Sequence, residues 1–137
     1  MSTLTGAPTL GRLVLRRDRI RIAVIGCTDN EPGWEAGTSS PGTFFVRVGD
    51  IKKLKNLIRI LKNAADLVIV SIHWGPNMRQ RPNEVFQRFA HKIIDSGADI
   101  IHGHSAHIFQ GIEIYRDKLI MYDTGDFIDD YVVDPYL

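Results

Sequence analysis

Six consecutive residues, Leu67-Val68-Ile69-Val70-Ser71-Ile72, contain no glycine, no proline and no charge. So short a run, rich in side chains branched at Cβ, fits a strand covered on both faces, as in the middle of a parallel sheet. A second run, Ile20 to Gly26, alternates at first and then becomes equally apolar. Between the two, Ile51, Leu54, Leu57, Ile58 and Leu61 recur at helical spacing. Lys52, Lys53, Lys55, Arg59 and Lys62 fall on the opposite side and read as a solvated face. Parallel neighbours need a crossover of about a dozen residues or more, and a helix of this kind supplies it.

The pattern repeats downstream. Asp50 is placed to cap the first helix. After a loop with Gly75, Pro76 and Pro82, Asn83 can cap a second, whose apolar positions are Val85, Phe86, Phe89, Ala90, Ile93 and Ile94. Gly97 is placed to end it in a left-handed conformation. Ala98 to Ile101 predicts a short strand, and Ile108 to Tyr115 and Leu119 to Tyr122 predict two more about a tight turn at Arg116-Asp117-Lys118. The expected fold class is α/β, a mixed sheet flanked by helices. Residues 1–19 form a lead-in, loose to about residue 11, with a short strand at Leu13–Leu15 turning at Arg17-Asp18. From Thr28 to Thr43 the chain is rich in Gly, Pro, Ser, Asp and Asn, a loop of a length that is often functional. Trp34 within it either packs over the sheet or lines a cleft.

Several function classes are excluded by composition. The 137 residues suit one domain, and 44% hydrophobic with 24% charged residues argues against disorder. A net charge of +1 gives no bulk field toward nucleic acid or an anionic membrane. The run Arg16-Arg17-Asp18-Arg19 with Arg21 is broken by an acid and reads as a solvated strand edge. No aromatic-basic interleaving is present, so no nucleic-acid partner is expected. Cys27, the single cysteine, excludes an internal disulfide and a thiolate-rich metal site, and its place after an apolar run makes it a buried thiol. The first residues lack the features of a signal segment, and no stretch approaches the ~20 apolar residues of a membrane span. A cytoplasmic location is expected for the chain as given.

All five histidines lie between His73 and His107. His73 ends the Leu67–Ile72 run, and His102-Gly103-His104-Ser105-Ala106-His107 follows the next predicted strand. In open α/β sheets, ligands gather beyond the carboxyl ends of the strands, so these side chains converge if the two strands are neighbours. A set of imidazoles and carboxylates without sulfur suits Zn, Mn, Fe or Co. Two such ions about 4 Å apart would clamp a phosphoryl group and supply a metal-bound hydroxide. Asp123 and Asp126 can give oxygen ligands or orient a histidine from behind. Trp74 and Gly75 can close one wall. The structural alternative is a set of hydrogen-bonded histidines filling a polar loop. His91 belongs to the second helix and reads as a surface residue. No serine-based triad and no glycine-rich phosphate loop can be placed.

Three segments carry a resemblance. Ser71-Ile72-His73-Trp74-Gly75, then Ile94-Asp95-Ser96-Gly97-Ala98-Asp99-Ile100-Ile101-His102-Gly103-His104-Ser105-Ala106-His107, then Gln110-Gly111-Ile112-Glu113-Ile114-Tyr115, resemble the CapA-type family. This is the poly-γ-glutamate capsule biosynthesis group of the calcineurin-like metallophosphoesterase superfamily. The closing Tyr122-Asp123-Thr124-Gly125-Asp126-Phe127-Ile128-Asp129-Asp130 resembles its Ser-x-Gly-Asn-Phe segment. The resemblance implies that residues 20–137 correspond to the C-terminal half of such a domain, about half of a four-layer α/β/β/α sandwich. It further implies that His73, the histidine after the central strand, and His104 with His107, matching a Gly-His-x-His motif, are metal ligands. The spacing here is Gly-His-x-x-His, and His102 becomes a nearby polar residue for which ligation stays open.

Departures temper what the resemblance implies. The superfamily's early Asp-rich strand, bridging Asp and Asn-His segment have no counterpart in these residues, Asn77 stands near where relatives carry an acid, and Asp126 stands where they have Asn. The expectation is a metallophosphoesterase-like site for a divalent metal (Mn, Zn, Fe or Co) that is incomplete in this chain, which alone is catalytically weak or inert. The expected partners are an anionic polymer or a phosphorylated small molecule, with a second copy or a missing N-terminal half covering open surfaces. Full-length relatives are often membrane-associated. Two other readings stand beside this one. One is a non-catalytic component that binds a polyanion around a single structural ion, and the other is a metal-free interaction module.

Overall fold

The computed structural model describes residues 11–126. In chain order the elements are β1 (Arg12–Arg17), β2 (Ile20–Thr28), α1 (Lys52–Ala64), β3 (Leu67–His73), α2 (Glu84–Asp95), β4 (Ile100–His104), β5 (Ile112–Tyr115) and β6 (Lys118–Met121). The strands form one mixed sheet in the order β1-β2-β3-β4-β6-β5. β2, β3, β4 and β6 run parallel, while β1 and β5 are antiparallel edges. The expected α/β class with a mixed sheet is the one observed.

Both crossovers step the same way across the sheet, and with right-handed connections that places α1 and α2 on one face. Their apolar stripes, Leu54, Leu57, Ile58 and Leu61 on α1 and Phe89, Ala90, Ile93 and Ile94 on α2, are buried there. They meet Ala23, Ile25, Val68, Val70, Ile72, Ile101 and Ile120 from the strands. Each large side chain buried in this way contributes about 2 kcal/mol of hydrophobic stabilisation. Cys27 is part of the same core, and burial pushes its thiol up to about 12, so it is inert packing.

The strand registers also define the opposite face. Leu13, Val24, Ile69, Ile100, Leu119 and Ile114 form one row across all six strands. The next row toward the carboxyl ends holds Gly26, Ser71, His102 and Met121, and the one after it Thr28, His73 and His104. This face is therefore apolar at its middle and imidazole-bearing at one rim.

Two of the three helix signals read from sequence hold in detail. Asn83 Oδ1 accepts from the amides of Val85 and Phe86 at 3.0 and 3.2 Å. Gly97 closes the segment after α2 with φ +114. Asp50 Oδ1 accepts from Lys52 N at 3.1 Å, although the helix begins one residue later than a strict Asp50 cap implies. Arg116 and Asp117 both have positive φ, the conformation that a two-residue hairpin between twisted strands requires.

Other expectations are corrected. β4 continues through His104, so His102 and His104 are strand residues and not part of a turn. β5 starts at Ile112, because Phe109 makes only an isolated bridge to Thr124. The Thr28–Thr43 segment is anchored by bridges of Thr28 to Phe45 and Glu35 to Thr43, and by a short 3-10 turn at Pro32–Trp34. Trp34 is 65% exposed and does not pack over the sheet. His91 is not a plain surface residue. Its ring stacks on Tyr115 at 3.9 Å and its Nε2 lies 2.8 Å from Glu113, because the β5–β6 hairpin folds beneath α2. Residues 127–130 of the closing motif lie outside the described residues. No helix of the described residues is long and apolar enough to cross a membrane.

At the amino ends of the strands, Asp99 is 7% exposed. It accepts from Lys62 and Lys118 ammonium groups, each at 2.6 Å, and from Val68 N at 2.9 Å. Burial disfavours its charge, but these donors outweigh burial and hold its pKa below the usual carboxylate range. A carboxylate depressed in the folded state stabilises fully above its unfolded pKa of about 4, and that stability is lost as pH falls through the folded value. Asp99→Ala should therefore lower the unfolding free energy by about 3 kcal/mol at pH 7. In thermal melts between pH 7 and pH 2.5, the acid loss of stability should be shallower for Asp99→Asn than for the wild type.

Candidate metal centre

Parallel pairing of β3 with β4 sets His73 opposite His104 and Ser71 opposite His102. All four alternate onto the face away from the helices, since Ile72 and Gly103 point the other way. The Nδ1 atoms of His73 and His104 lie 3.3 Å apart. Ser71 Oγ sits 3.2 Å from His102 Nδ1 and 3.2 Å from His104 Nε2, so one hydroxyl steadies two rings. Thr124 Oγ1 lies 3.3 Å from the far nitrogen of His102. Burial, with the neighbouring His73 and His102, lowers the His104 pKa, against a smaller opposing pull from Asp123. A lowered pKa leaves this imidazole neutral, the form that presents a lone pair.

Behind the rings, backbone bonds tie the strand ends together. Trp74 N donates to His104 O at 3.0 Å, and Asp29 N donates to His73 O at 3.0 Å. The Asp29 carboxylate accepts from Gly75 N at 2.9 Å. Burial raises the Asp29 pKa, opposed by the Gly75 hydrogen bond and by His73 and Arg79 nearby. Asn30 Nδ2 reaches Ser105 Oγ at 3.2 Å, and Ser105 Oγ donates to Gly75 O at 3.2 Å. Asp29 and Asn30 were not singled out from sequence. Their signal was available: an Asp-Asn pair directly after β2, whose Thr28 lies beside His73 in the sheet.

Asp123 is fully buried and accepts from Ala106 N at 2.8 Å and Gly125 N at 2.9 Å. It shapes the loop that carries the last histidine of the cluster. Ser105 and His107 have φ of 133 and 62, in the region that side chains avoid, so this turn is held against local strain. The turn aims His107 toward Asp126, with Nδ1 to Oδ2 at 3.1 Å. Trp74 does not line a wall. Its ring is 2% exposed, stacks parallel to Tyr122 at 6.2 Å, and donates from Nε1 to Tyr122 O at 2.8 Å.

The structure thus brings His73, His104 and His102 to one rim and pairs His107 with Asp126. Two imidazole nitrogens 3.3 Å apart match adjacent ligands on one tetrahedral ion, whose Zn–N bonds of about 2.0–2.1 Å put them roughly 3.3 Å apart. Among the described residues, however, no group of three or more His, Cys, Asp or Glu side chains is arranged to hold a metal. The donors present suit an ion in chemistry and spacing but complete only part of its shell.

Gly103 makes this geometry possible. A Cβ there would lie 2.1 Å from Tyr122 O and 2.7 Å from Trp74 Nε1. Gly103→Ala should therefore cost about 3 kcal/mol in denaturant unfolding. Gly26→Ala, whose added carbon meets only Gly11 O at 3.7 Å, should stay within roughly 1 kcal/mol of wild type.

The chain is similar to known proteins. The family model described as bacterial capsule synthesis protein PGA_cap matches residues 8–131. A probable polyglutamine synthesis accessory protein of Mycobacterium tuberculosis is 40% identical over 104 residues, 72% of this chain and 27% of its own. The PGA biosynthesis protein CapA of Bacillus subtilis is 36% identical over 112 residues, 81% of this chain and 29% of its own. The capsule biosynthesis protein CapA of Bacillus anthracis is 33% identical over 113 residues, 81% of this chain and 28% of its own. The chain thus spans under a third of the length of these relatives. Among solved structures, a hypothetical protein from Thermus thermophilus superposes with a TM-score of 0.55 at 16% identity, over 84% of this chain and 38% of that one, a likeness of fold alone.

Proposed function

Because the chain belongs to the bacterial capsule synthesis protein family PGA_cap, we propose that it serves the making or handling of an anionic glutamate polymer, with the rim of β3 and β4 as a divalent-ion site. The observation that carries the ion site is the facing pair of Nδ1 atoms of His73 and His104, 3.3 Å apart. The polymer reading rests on the relatives, whose names speak of capsule, polyglutamine and PGA biosynthesis. Because those relatives are more than three times as long as their matched part, the whole protein's activity, substrate and partners belong to this proposal.

In this reading His73 and His104 hold the ion, and Ser71 fixes the angle of the His104 ring. His102, whose two ring nitrogens face Ser71 and Thr124, stands beside them and holds the rim in shape. His107 with Asp126 makes a second polar arm at the same end of the sheet. A bound divalent ion would act as a Lewis acid toward a phosphoryl or carboxyl oxygen. Asp123 accepts backbone amides at both carboxylate oxygens and Asp29 accepts Gly75 N at one, and these bonds shape the strand ends. Mn, Zn, Fe and Co all suit such a nitrogen and oxygen set.

Titration with Mn²⁺, Zn²⁺ or Co²⁺ should raise the melting temperature by roughly 8 °C at an ion concentration about 100 times the dissociation constant. The double variant His73→Ala/His104→Ala should lose that shift, and His91→Ala should keep it. A blank response to all three ions would remove the metal from the proposal. With Mn²⁺ present, turnover of phosphomonoesters and phosphodiesters by this chain should stay near background, and robust hydrolysis would show that the site is complete. Calorimetry with poly-γ-glutamate should show metal-dependent binding that the double variant loses.

A further inference from the structure

We propose that the outer face of α1 is a binding track for a polycarboxylate chain, an inference that rests on the proposed handling of a glutamate polymer and gives that polymer a contact apart from the ion rim. Lys52, Lys55, Arg59 and Lys62 follow one another at spacings of three, four and three residues, so they form one stripe along the helix. Ten residues of helix make that stripe about 15 Å long. Lys53 stands beside its first turn. The thirteen residues of α1 thus carry five cations and no acid, in a chain whose net charge is only +1. Lys52, Lys53, Arg59 and Lys62 are exposed and Lys55 is half-buried. Lys53 pairs with Glu35 and Lys62 with Asp99, while Lys52, Lys55 and Arg59 have no ion-pair partner among the described residues.

A plainly solvated helix face mixes its signs, and α2 does so. Glu84 pairs with Arg88 along α2, and Asp95 meets Arg116 from the hairpin. The exposed side of α1 has no such relief. Lys52 and Lys55 are three residues apart and Lys55 and Arg59 four, so like charges stand one turn from each other, which disfavours the helix. Lys52, Lys53 and Lys55 also crowd the first turn, the end of a helix at which cations are disfavoured. A sequence that carries both costs on one face fits a compensating anion supplied by a ligand. Four of the five cations are lysines, flexible point charges that can follow successive carboxylates of a mobile chain without a fixed geometry. Because α1 buries Leu54, Leu57, Ile58 and Leu61 against the sheet, the stripe is turned to the outside of the helix layer and is independent of what covers the opposite sheet face. The helix runs back from the carboxyl ends of the strands to their amino ends, so the stripe starts at the histidine end of the sheet and finishes at Asp99. There it joins a cleft of about 250 Å³ whose lining includes Lys62, Arg116 and Lys118 with Asp95 and Asp99.

Titration of the 137-residue chain with poly-γ-glutamate in chelator-treated buffer, read by fluorescence, tests this directly. Binding should be present at low salt and weaken by roughly 10-fold or more between about 20 and 200 mM salt, as screening of exposed charges requires. Lys52→Glu/Lys55→Glu/Arg59→Glu should weaken it by roughly 10-fold or more at low salt. That variant should keep its far-ultraviolet spectrum and melt no lower than wild type, since repulsion within α1 is removed. Lys52→Gln/Lys55→Gln/Arg59→Gln should show a smaller loss in the same direction. Charge-matched Arg12→Glu/Arg16→Glu/Arg17→Glu on edge β1 should bind within about twofold of wild type, because short-range contact and not bulk charge holds the polymer. His73→Ala/His104→Ala should keep this metal-independent binding, so failure of the ion rim and failure of the track are read separately. Absence of binding in chelator-treated buffer, undiminished binding by the α1 variants, or equal loss in the β1 variant would overturn the proposal. Tighter binding of single-stranded DNA than of poly-γ-glutamate at equal charge concentration would overturn it in favour of nucleic acid.

Discussion

The register of β3 against β4 is the constraint on which the rest depends. Side chains alternate along a strand, so a slip of one residue would send His104 into the helix layer and bring Gly103 to the rim. Two features fix the register. Val68, Val70 and Ile72 must enter the core together with Ile101. Gly103 must lie where Tyr122 O and the Trp74 ring leave no room for a side chain. Packing under the sheet thereby determines which histidines meet on top of it.

The two ends of the strands show opposite electrostatic designs. At the amino ends, one buried carboxylate, Asp99, gathers two lysines and a backbone amide, which fastens α1 to β3, β4 and the β5–β6 hairpin. Its charges are satisfied, and the cluster is structural. At the carboxyl ends, imidazoles face one another with only hydroxyls and neighbouring rings between them. That rim lies where parallel sheets gather ligands.

Much of this was legible in the sequence. The apolar runs at Ile20–Gly26 and Leu67–Ile72, the spacing of Leu54, Leu57, Ile58 and Leu61, and the Asn83 and Gly97 signals are local patterns, and local backbone physics is enough to read them. Harder to read were features that depend on where an element lies in space. His91 has the sequence context of a surface residue, and only the β5–β6 hairpin beneath it gives it partners. Trp74 has the context of a cleft wall because it follows a histidine, but a residue one step further along a strand faces the opposite side. Asp29 and Asn30 have no local signature beyond their place at a strand end, and their importance comes from β2 lying beside β3.

The sequence by itself determined the α/β class, the starts of both helices to within a residue, the kinship to capsule synthesis proteins and the end of the sheet where the histidines gather. Only the tertiary structure decided how the histidines divide. His73 and His104 meet because strand parity and parallel pairing put them side by side. His107 turns to Asp126 because the strained turn after β4, held by Asp123, redirects it. The same pairing aligned one side chain from each of six strands into a continuous apolar row. No single segment reveals such a row, because it is a property of register between strands far apart in the chain.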